Sequence, residues 1–219
     1  MAKGSLKDDV RHVLREDIIS NKLKPGQRIV ETEIAKNMGI SQVPVREALR
    51  GLEEEGLVKS IKYRGPFVTE INVSEMYHIF LLRSEVEENA LSHILPNITK
   101  RNIGELYDII DKMALINKMD NYSAQSALDL EFHYTIIKWS NIDIYRRIWK
   151  TLDGHIRRFI MFMHPMIENK QKEVYNDHLN LVKVLESKNI EKARTAFKNH
   201  IMEYFLENKE LIEQISNDK

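Results

Sequence analysis

The stretch from Ile34 to Leu52 constrains the fold of this chain more than any other, because two short amphipathic helices must meet across the turn Gly39-Ile40-Ser41. Ile34, Ala35 and Met38 recur at helical spacing, and Gly39 suits the left-handed position that follows a helix. Ser41 offers a capping hydroxyl, and Pro44 fits the first turn of the next helix, where amide hydrogens have no intrahelical partner. That helix buries Val45, Ala48, Leu49 and Leu52 and turns Gln42, Arg46, Glu47 and Arg50 outward near its beginning. Helix, turn, helix at this spacing predicts a helix-turn-helix.

The flanks extend the prediction. Leu6, Val10, Val13, Leu14 and Ile18 read as a preceding helix, ended by Leu23-Lys24-Pro25-Gly26. After Gly56, two β-prone runs, Leu57 to Tyr63 and Phe67 to Ile71, surround the turn Arg64-Gly65-Pro66 and predict a wing. The chain as a whole balances 33 Lys and Arg against 33 Asp and Glu, but residues 56–68 contain no acid and hold Lys59, Lys62 and Arg64. From Ser74 onward apolar residues keep helical spacing to Ile215, in about six segments punctuated by Pro96, Asn141, Gly154, Pro165 and Asn189. The expected class is therefore mainly α, with a winged helix-turn-helix over residues 1–72 and an all-α helical bundle over residues 73–219.

Composition limits the chemistry. No run approaches the ~20 apolar residues of a membrane helix, and the start MAKGSLKDDV lacks the apolar core of a signal peptide, so a cytoplasmic protein without membrane contact is expected. With no cysteine, any metal must be held by His, carboxylate and water. His178 falls in the stripe Val174, Tyr175, Leu181, Val182, Leu185, and His200 in the stripe Ala193, Ala196, Phe197, Ile201, Tyr204. Asp129 and His133 stand at i, i+4 beside the apolar line Leu128, Phe132, Ile136, Trp139. Burying such groups unpartnered costs several kcal/mol, roughly, and one divalent cation satisfies all four. Two plainer alternatives stand beside this: Asp129 as the acid of a capping box opened by Ser126, and each His as a hydrogen-bonded core residue. His12, His78, His93, His155 and His164 show no convergence. Arg83 lies on an inner line with Ile79, Phe80, Val86 and Ala90, where a salt bridge to Glu87 or a role in binding an anion would explain its charge.

The run Leu23-Lys24-Pro25-Gly26-Gln27-Arg28-Ile29, then Glu33-Ile34-Ala35, Gly39-Ile40-Ser41, Pro44-Val45-Arg46-Glu47-Ala48-Leu49, Glu55-Gly56-Leu57 and Gly65-Pro66-Phe67-Val68, closely resembles the winged helix-turn-helix of GntR-family transcriptional regulators. In that family arginines at the second-helix start, directly after the cap serine and one turn later contact operator DNA. Those places here hold Thr32, Gln42 and Arg46. The resemblance thus implies an operator surface of Thr32, Ser41, Gln42, Arg46, Arg50, Lys62 and Arg64, with arginine favouring guanine and glutamine adenine. The plain alternative for Arg46 and Arg50 is a solvated helix face paired with Glu47, Glu53 or Glu54.

The pattern Asp129-Leu130-Glu131-Phe132-His133, with Asn141 shortly after and His178 and His200 on later helices, resembles the FCD ligand-binding domain of the family's FadR-type branch. That likeness implies one divalent metal ion per chain on Asp129, His133, His178 and His200, completed by a small carboxylate effector that Arg83 could engage. It also implies a homodimer formed through the helical domain. Nitrogen and oxygen ligands leave zinc, nickel, manganese and iron open. The expected protein is a dimeric repressor or activator on double-stranded operator DNA, not an enzyme. A regulator responding to the metal itself is one alternative. A metalloenzyme is another, opposed by the adjacent winged helix and by the i+2 spacing of Glu131, which points it away from both Asp129 and His133.

Overall fold

The computed structural model describes residues 5–117, 119, 121–163 and 170–217, without the side chains of residues 170–173, 204, 212 and 215–217. Pro165, His164 and the side chains of Tyr204 and Ile215 lie outside the described residues. The chain divides into two compact units, Met1–Ile71 and Asn72–Lys219.

The first unit contains α1 (Leu6–Ile19), α2 (Glu31–Met38), α3 (Gln42–Glu54), β1 (Val58–Ile61) and β2 (Gly65–Val68). Its core gathers Val10, Leu14 and Ile18 of α1 with Ala35 of α2, Val45, Ala48, Leu49 and Leu52 of α3, and Leu57, Val58 and Val68 of the wing. Leu6 and Val13, read as members of the α1 stripe, are instead exposed. They stand at the margin of an apolar line that Val10, Leu14 and Ile18 complete by themselves at i, i+4 spacing. Gly39 has φ 66° and closes α2 in the left-handed conformation. Ser41 occupies the N-cap of α3 in extended backbone as expected, but its hydroxyl makes no capping hydrogen bond. The position is right; the hydroxyl is not what holds the helix start.

The wing strands pair antiparallel from Val58↔Val68 to Ile61↔Gly65, shorter than the β-prone runs that predicted them. The segment after Pro25 lies along β2: Gly26 N donates to the Val68 carbonyl, Ile29 N to the Pro66 carbonyl, and Val68 N to the Gln27 carbonyl. This adds an edge to a two-stranded ribbon that would otherwise be marginal. Glu55, just past α3, ties the wing end of that helix to α1 by accepting from Arg11 Nε at 2.8 Å and Arg15 Nε at 3.0 Å.

The second unit is all helical: α4 (Val73–Ile94), a 3-10 turn (Leu95–Asn97), α5 (Lys100–Ile116), α6 (Tyr122–Trp139), α7 (Asp143–Met163), α8 (Lys170–Glu186), α9 (Ile190–Glu207) and α10 (Lys209–Asn217). Seven α-helices among the described residues replace the six segments expected. Gly154 does not break the chain: it lies buried inside α7, where it costs about 1 kcal/mol against alanine but leaves the hydrogen-bond ladder intact. The stretch between Pro96 and Asn141 is two helices instead of one. Asn121 starts the second by accepting from Ala124 N at 3.0 Å, a cap that the helical periodicity hides. A further break falls at Asn208, between α9 and α10.

Side-chain caps also fix the starts of α4 (Asn72 accepting from Glu75 N), α5 (a capping box of Thr99 and Asn102) and α9 (Asn189 accepting from Lys192 N). The core joins Leu91, Leu95, Leu106, Ile110, Phe132, Ile136, Leu181, Val182, Leu185 and Phe197. Helix α4 packs against α6, α7 and α9. Its buried side carries Arg83, Ser84, Glu87 and Glu88 beside Phe80, Ala90 and Leu91, so polar groups are placed inside the bundle by design of the sequence. No helix among the described residues is long and apolar enough to cross a membrane.

Candidate functional site

In the first unit the expected DNA-facing residues, Thr32, Ser41, Gln42, Arg46, Arg50, Lys62 and Arg64, are all exposed. Arg46 is held by two neighbours: its Nε donates to Glu31 Oε2 at 2.6 Å, and its Nη2 donates to Gln42 Oε1 at 3.2 Å. Of the acids expected to pair with Arg46 or Arg50, Glu53 has another part. It accepts from Ser60 N and Oγ, joining α3 to β1. Glu31 opens α2 next to Thr32, so the pair links the start of α2 to α3 one turn past Gln42. At the wing tip Tyr63 is 94% exposed with φ 64°. Lys62 Nζ lies 5.0 Å from its ring centroid, and the Arg64 guanidinium lies 5.2 Å from that of Phe67. The cationic side chains are thereby propped outward by aromatic surfaces.

In the second unit α6 carries Asp129 and His133 one turn apart, α8 carries His178 and α9 carries His200. The structure brings all four together: one ligand-type atom from each lies within 4.8 Å of the others. His133 and His178 are fully buried, their ring centroids 5.3 Å apart, and His200 lies 5.3 Å and 4.8 Å from them. The capping-box reading of Asp129 is excluded, because Ser126 sits within α6 with its hydroxyl on the Ser123 carbonyl. Of the other histidines, His12, His78 and His93 are exposed and His155 is half-buried.

His178 Nδ1 lies 2.7 Å from the Val174 carbonyl, an acceptor only, so Nδ1 carries a hydrogen and Nε2 faces Asp129 Oδ1, 3.1 Å away. His133 Nε2, His178 Nε2 and Asp129 Oδ2 are buried without a hydrogen-bond partner. Burial, reinforced by the neighbouring His178 and His133, holds His200 well below the usual imidazole range. Burial likewise lowers His133, against the pull of Glu87. Burial alone would raise Asp129, but contact with His178, the His133 ring and Arg83 hold its carboxyl far below the usual carboxylate range. The shifts at His133 and His200 favour neutral imidazole and that at Asp129 favours ionised carboxylate, the forms in which these groups bind divalent cations. The residues fit a metal ion.

Arg83 is 3% exposed and meets its expected partner, Nε donating to Glu87 Oε1 at 2.8 Å. It also reaches the cluster: its Nη2 stands 3.8 Å from Asp129 Oδ2 and has no hydrogen-bond partner. Its guanidinium lies 5.3 Å from the Trp149 ring centroid, and Trp149 in turn stacks near His133. The two alternatives for Arg83 are therefore compatible, one nitrogen in a salt bridge and another facing the candidate ligands.

From its spacing Glu87 is expected only as a salt-bridge partner of Arg83. In the structure it is fully buried, and its second oxygen, Oε2, lies 2.6 Å from His133 Nδ1. Burial would raise Glu87, but His133 and Arg83 together keep it low. The only trace in the sequence is its place on the inner side of α4, since the contact spans 46 positions. Glu131, the residue considered as a base, is exposed and pairs with Lys112 on the outside of the bundle.

Comparison with known proteins agrees with this architecture. Residues 6–68 match the gntR family of bacterial regulatory proteins, and residues 78–203 match the FCD domain. The chain is 25% identical over 197 residues to the uncharacterized HTH-type transcriptional regulator YdhC of Bacillus subtilis, spanning 88% of this chain and 84% of that one. It is 27% identical over 186 residues to the gluconate operon transcriptional repressor of the same organism, spanning 83% and 73%. Among solved structures, E. coli McbR/YncC superposes with a TM-score of 0.82 at 22% identity, covering 96% of this chain and all of that one. This chain is a GntR-family transcriptional regulator, not an enzyme, built from a winged helix-turn-helix and an FCD domain.

Proposed function

We propose that this regulator binds operator DNA as a homodimer and that a small organic acid, taken up beside a divalent metal ion in the helical unit, modulates that binding. The supporting observation is the set Asp129, His133, His178 and His200, four ligand-type atoms within 4.8 Å and partly buried without hydrogen bonds. When bound, the metal supplies a Lewis-acidic centre that a carboxylate can join. The chain's own residues do the rest. Asp129 and the three imidazoles hold the ion, and Arg83 Nη2, buried beside Asp129, offers a charged donor to an incoming carboxylate. Trp149 and Phe80 flank the guanidinium and keep water from it.

On the DNA side, Gln42 opens α3 and Arg46 follows one turn later, near the end that enters the major groove in this motif, and Lys62 and Arg64 of the wing are placed for phosphates. A two-fold dimer gives two such helices and the specificity a single half-site lacks. The likeness to a gluconate operon repressor favours repression as the sign. The chemistry of the ligands leaves zinc, nickel, manganese and iron equivalent.

The test is a gel-shift titration on DNA from the gene's own promoter, with protein that is metal-loaded, chelated, or loaded and mixed with a panel of small carboxylic acids. The reading expects one class of acid to shift operator affinity only in the loaded protein. A response to metal with no further response to any acid would favour the metal-responsive alternative.

A further inference from the structure

Glu87 presents its two carboxylate oxygens to two different partners. Oε1 accepts from Arg83 Nε at 2.8 Å, and Oε2 sits 2.6 Å from His133 Nδ1, with all three side chains buried. A carboxylate beside Arg83 is an acceptor, so the hydrogen of that short contact belongs to His133 Nδ1. The Nε2 lone pair of His133 then has one direction left, toward Asp129 Oδ1 at 4.0 Å and His178, and it has no other partner.

From this geometry we infer that Glu87 is a positioning residue: it fixes His133 as the Nδ1–H tautomer, which presents Nε2 as a ligand, and at the same time anchors Arg83 so that Nη2 faces Asp129. The inference deepens the metal reading above and rests on it for the consequence, though not for the tautomer. A carboxylate behind a ligating imidazole orients the ring and raises its basicity. Here the same carboxylate also carries the arginine, so the candidate cation site and the candidate anion site share one anchor on α4. His178 is oriented differently, by the Val174 carbonyl of its own helix, four residues back, and does not depend on Glu87.

The experiment uses the full chain. In metal-free protein, two-bond 1H–15N correlation spectra of the histidine rings, assigned for His133 by comparison with H133Q, report which nitrogen is protonated. The wild type is expected to show His133 protonated at Nδ1. Glu87→Gln, whose amide can donate as well as accept, is expected to populate the Nε2–H form and to weaken zinc binding, measured by competition with a chelating dye, about 10–100-fold. His178→Ala should weaken zinc without altering the His133 tautomer.

A wild-type spectrum with His133 protonated at Nε2 and bare at Nδ1 would overturn the inference, and so would E87Q protein that keeps both the tautomer and the zinc affinity. If E87Q fails to fold, the wild-type spectrum alone still decides. Should the wild type bind no zinc while His133 carries its hydrogen on Nδ1, the metal reading fails and the tautomer assignment stands.

Discussion

The two units each hold an arginine paired with a glutamate, and the surroundings make the pairs opposites. Arg46 and Glu31 meet at 2.6 Å on the surface, with the arginine side chain 58% exposed. Arg83 and Glu87 meet at 2.8 Å with side chains 3% and 0% exposed. Water screens the first pair, so it contributes roughly 0–1 kcal/mol and can be given up when DNA offers a better partner. The second pair has no water to fall back on, and removing one member strands a charge. A recognition surface needs contacts that exchange cheaply; a ligand site needs groups that stay where they are when the ligand is absent. The same two residue types serve both ends because burial sets the cost of separating them.

The sharpest way to break this comparison is to remove the buried acid. Glu87→Ala should destabilise the metal-free protein by about 3–5 kcal/mol, because Arg83 loses its anchor inside the bundle. Urea denaturation followed by far-ultraviolet circular dichroism measures this, and a change under 1 kcal/mol would show that the buried pair is as replaceable as the surface one. Next in size is the metal. Saturating zinc at about 100-fold over its Kd should add about 2.7 kcal/mol to stability, and His178→Ala or His200→Ala should remove most of that gain while leaving the operator surface untouched. A chelator titration followed by thermal melting reads it out.

On the exposed side, Arg46→Ala should cost operator affinity about 1–3 kcal/mol, read by gel shift. Neutralising Lys62 and Arg64 should weaken all sequences alike and flatten the salt dependence. The smallest expected effect is Glu31→Ala, which should change folding stability by no more than about 1 kcal/mol. A much larger loss would mean that the Arg46 pair is structural and not an exchangeable contact.

The buried cluster also has a pH signature. The folded-state pKa values of His133 and His200 lie below the unfolded imidazole value, so between the two values the unfolded chain binds more protons. Stability of the metal-free protein should therefore be intact above about pH 6.5 and fall as pH drops below it. The depressed carboxyls of Glu87 and Asp129 add a further loss in the carboxylate range, below about pH 4.5. Thermal melts between pH 8 and pH 4, on the order of one unit apart, would show a flat upper limb and a steepening decline; stability rising toward acid would contradict the burial of these groups.

What the sequence disclosed follows the range of each interaction. The helix-turn-helix was legible because its signals are local: Gly39, Pro44 and the i, i+4 apolar lines act within one or two turns. The convergence of Asp129, His133, His178 and His200 was legible for a different reason, since ligand-type side chains stood on apolar stripes where bland core residues belonged. Helix boundaries in the bundle were less so: Asn121 and Asn208 look like surface residues until the breaks are seen, and Gly154 looks like a break until its burial is seen. Least legible were contacts between distant positions. Nothing near Glu31 points to Arg46, and nothing near Glu87 points to His133, because each pairing depends on how separate helices are laid together.

If the buried histidines and aspartate form a metal site, elemental analysis of the purified, dialysed protein will find the ion. About one divalent ion per chain is expected in the wild type and a large deficit in both His178→Ala and His200→Ala, with all three proteins folded. Wild-type protein that is folded, metal-free and unchanged in stability after zinc is added and removed would contradict it, leaving the four side chains as core residues that merely face one another.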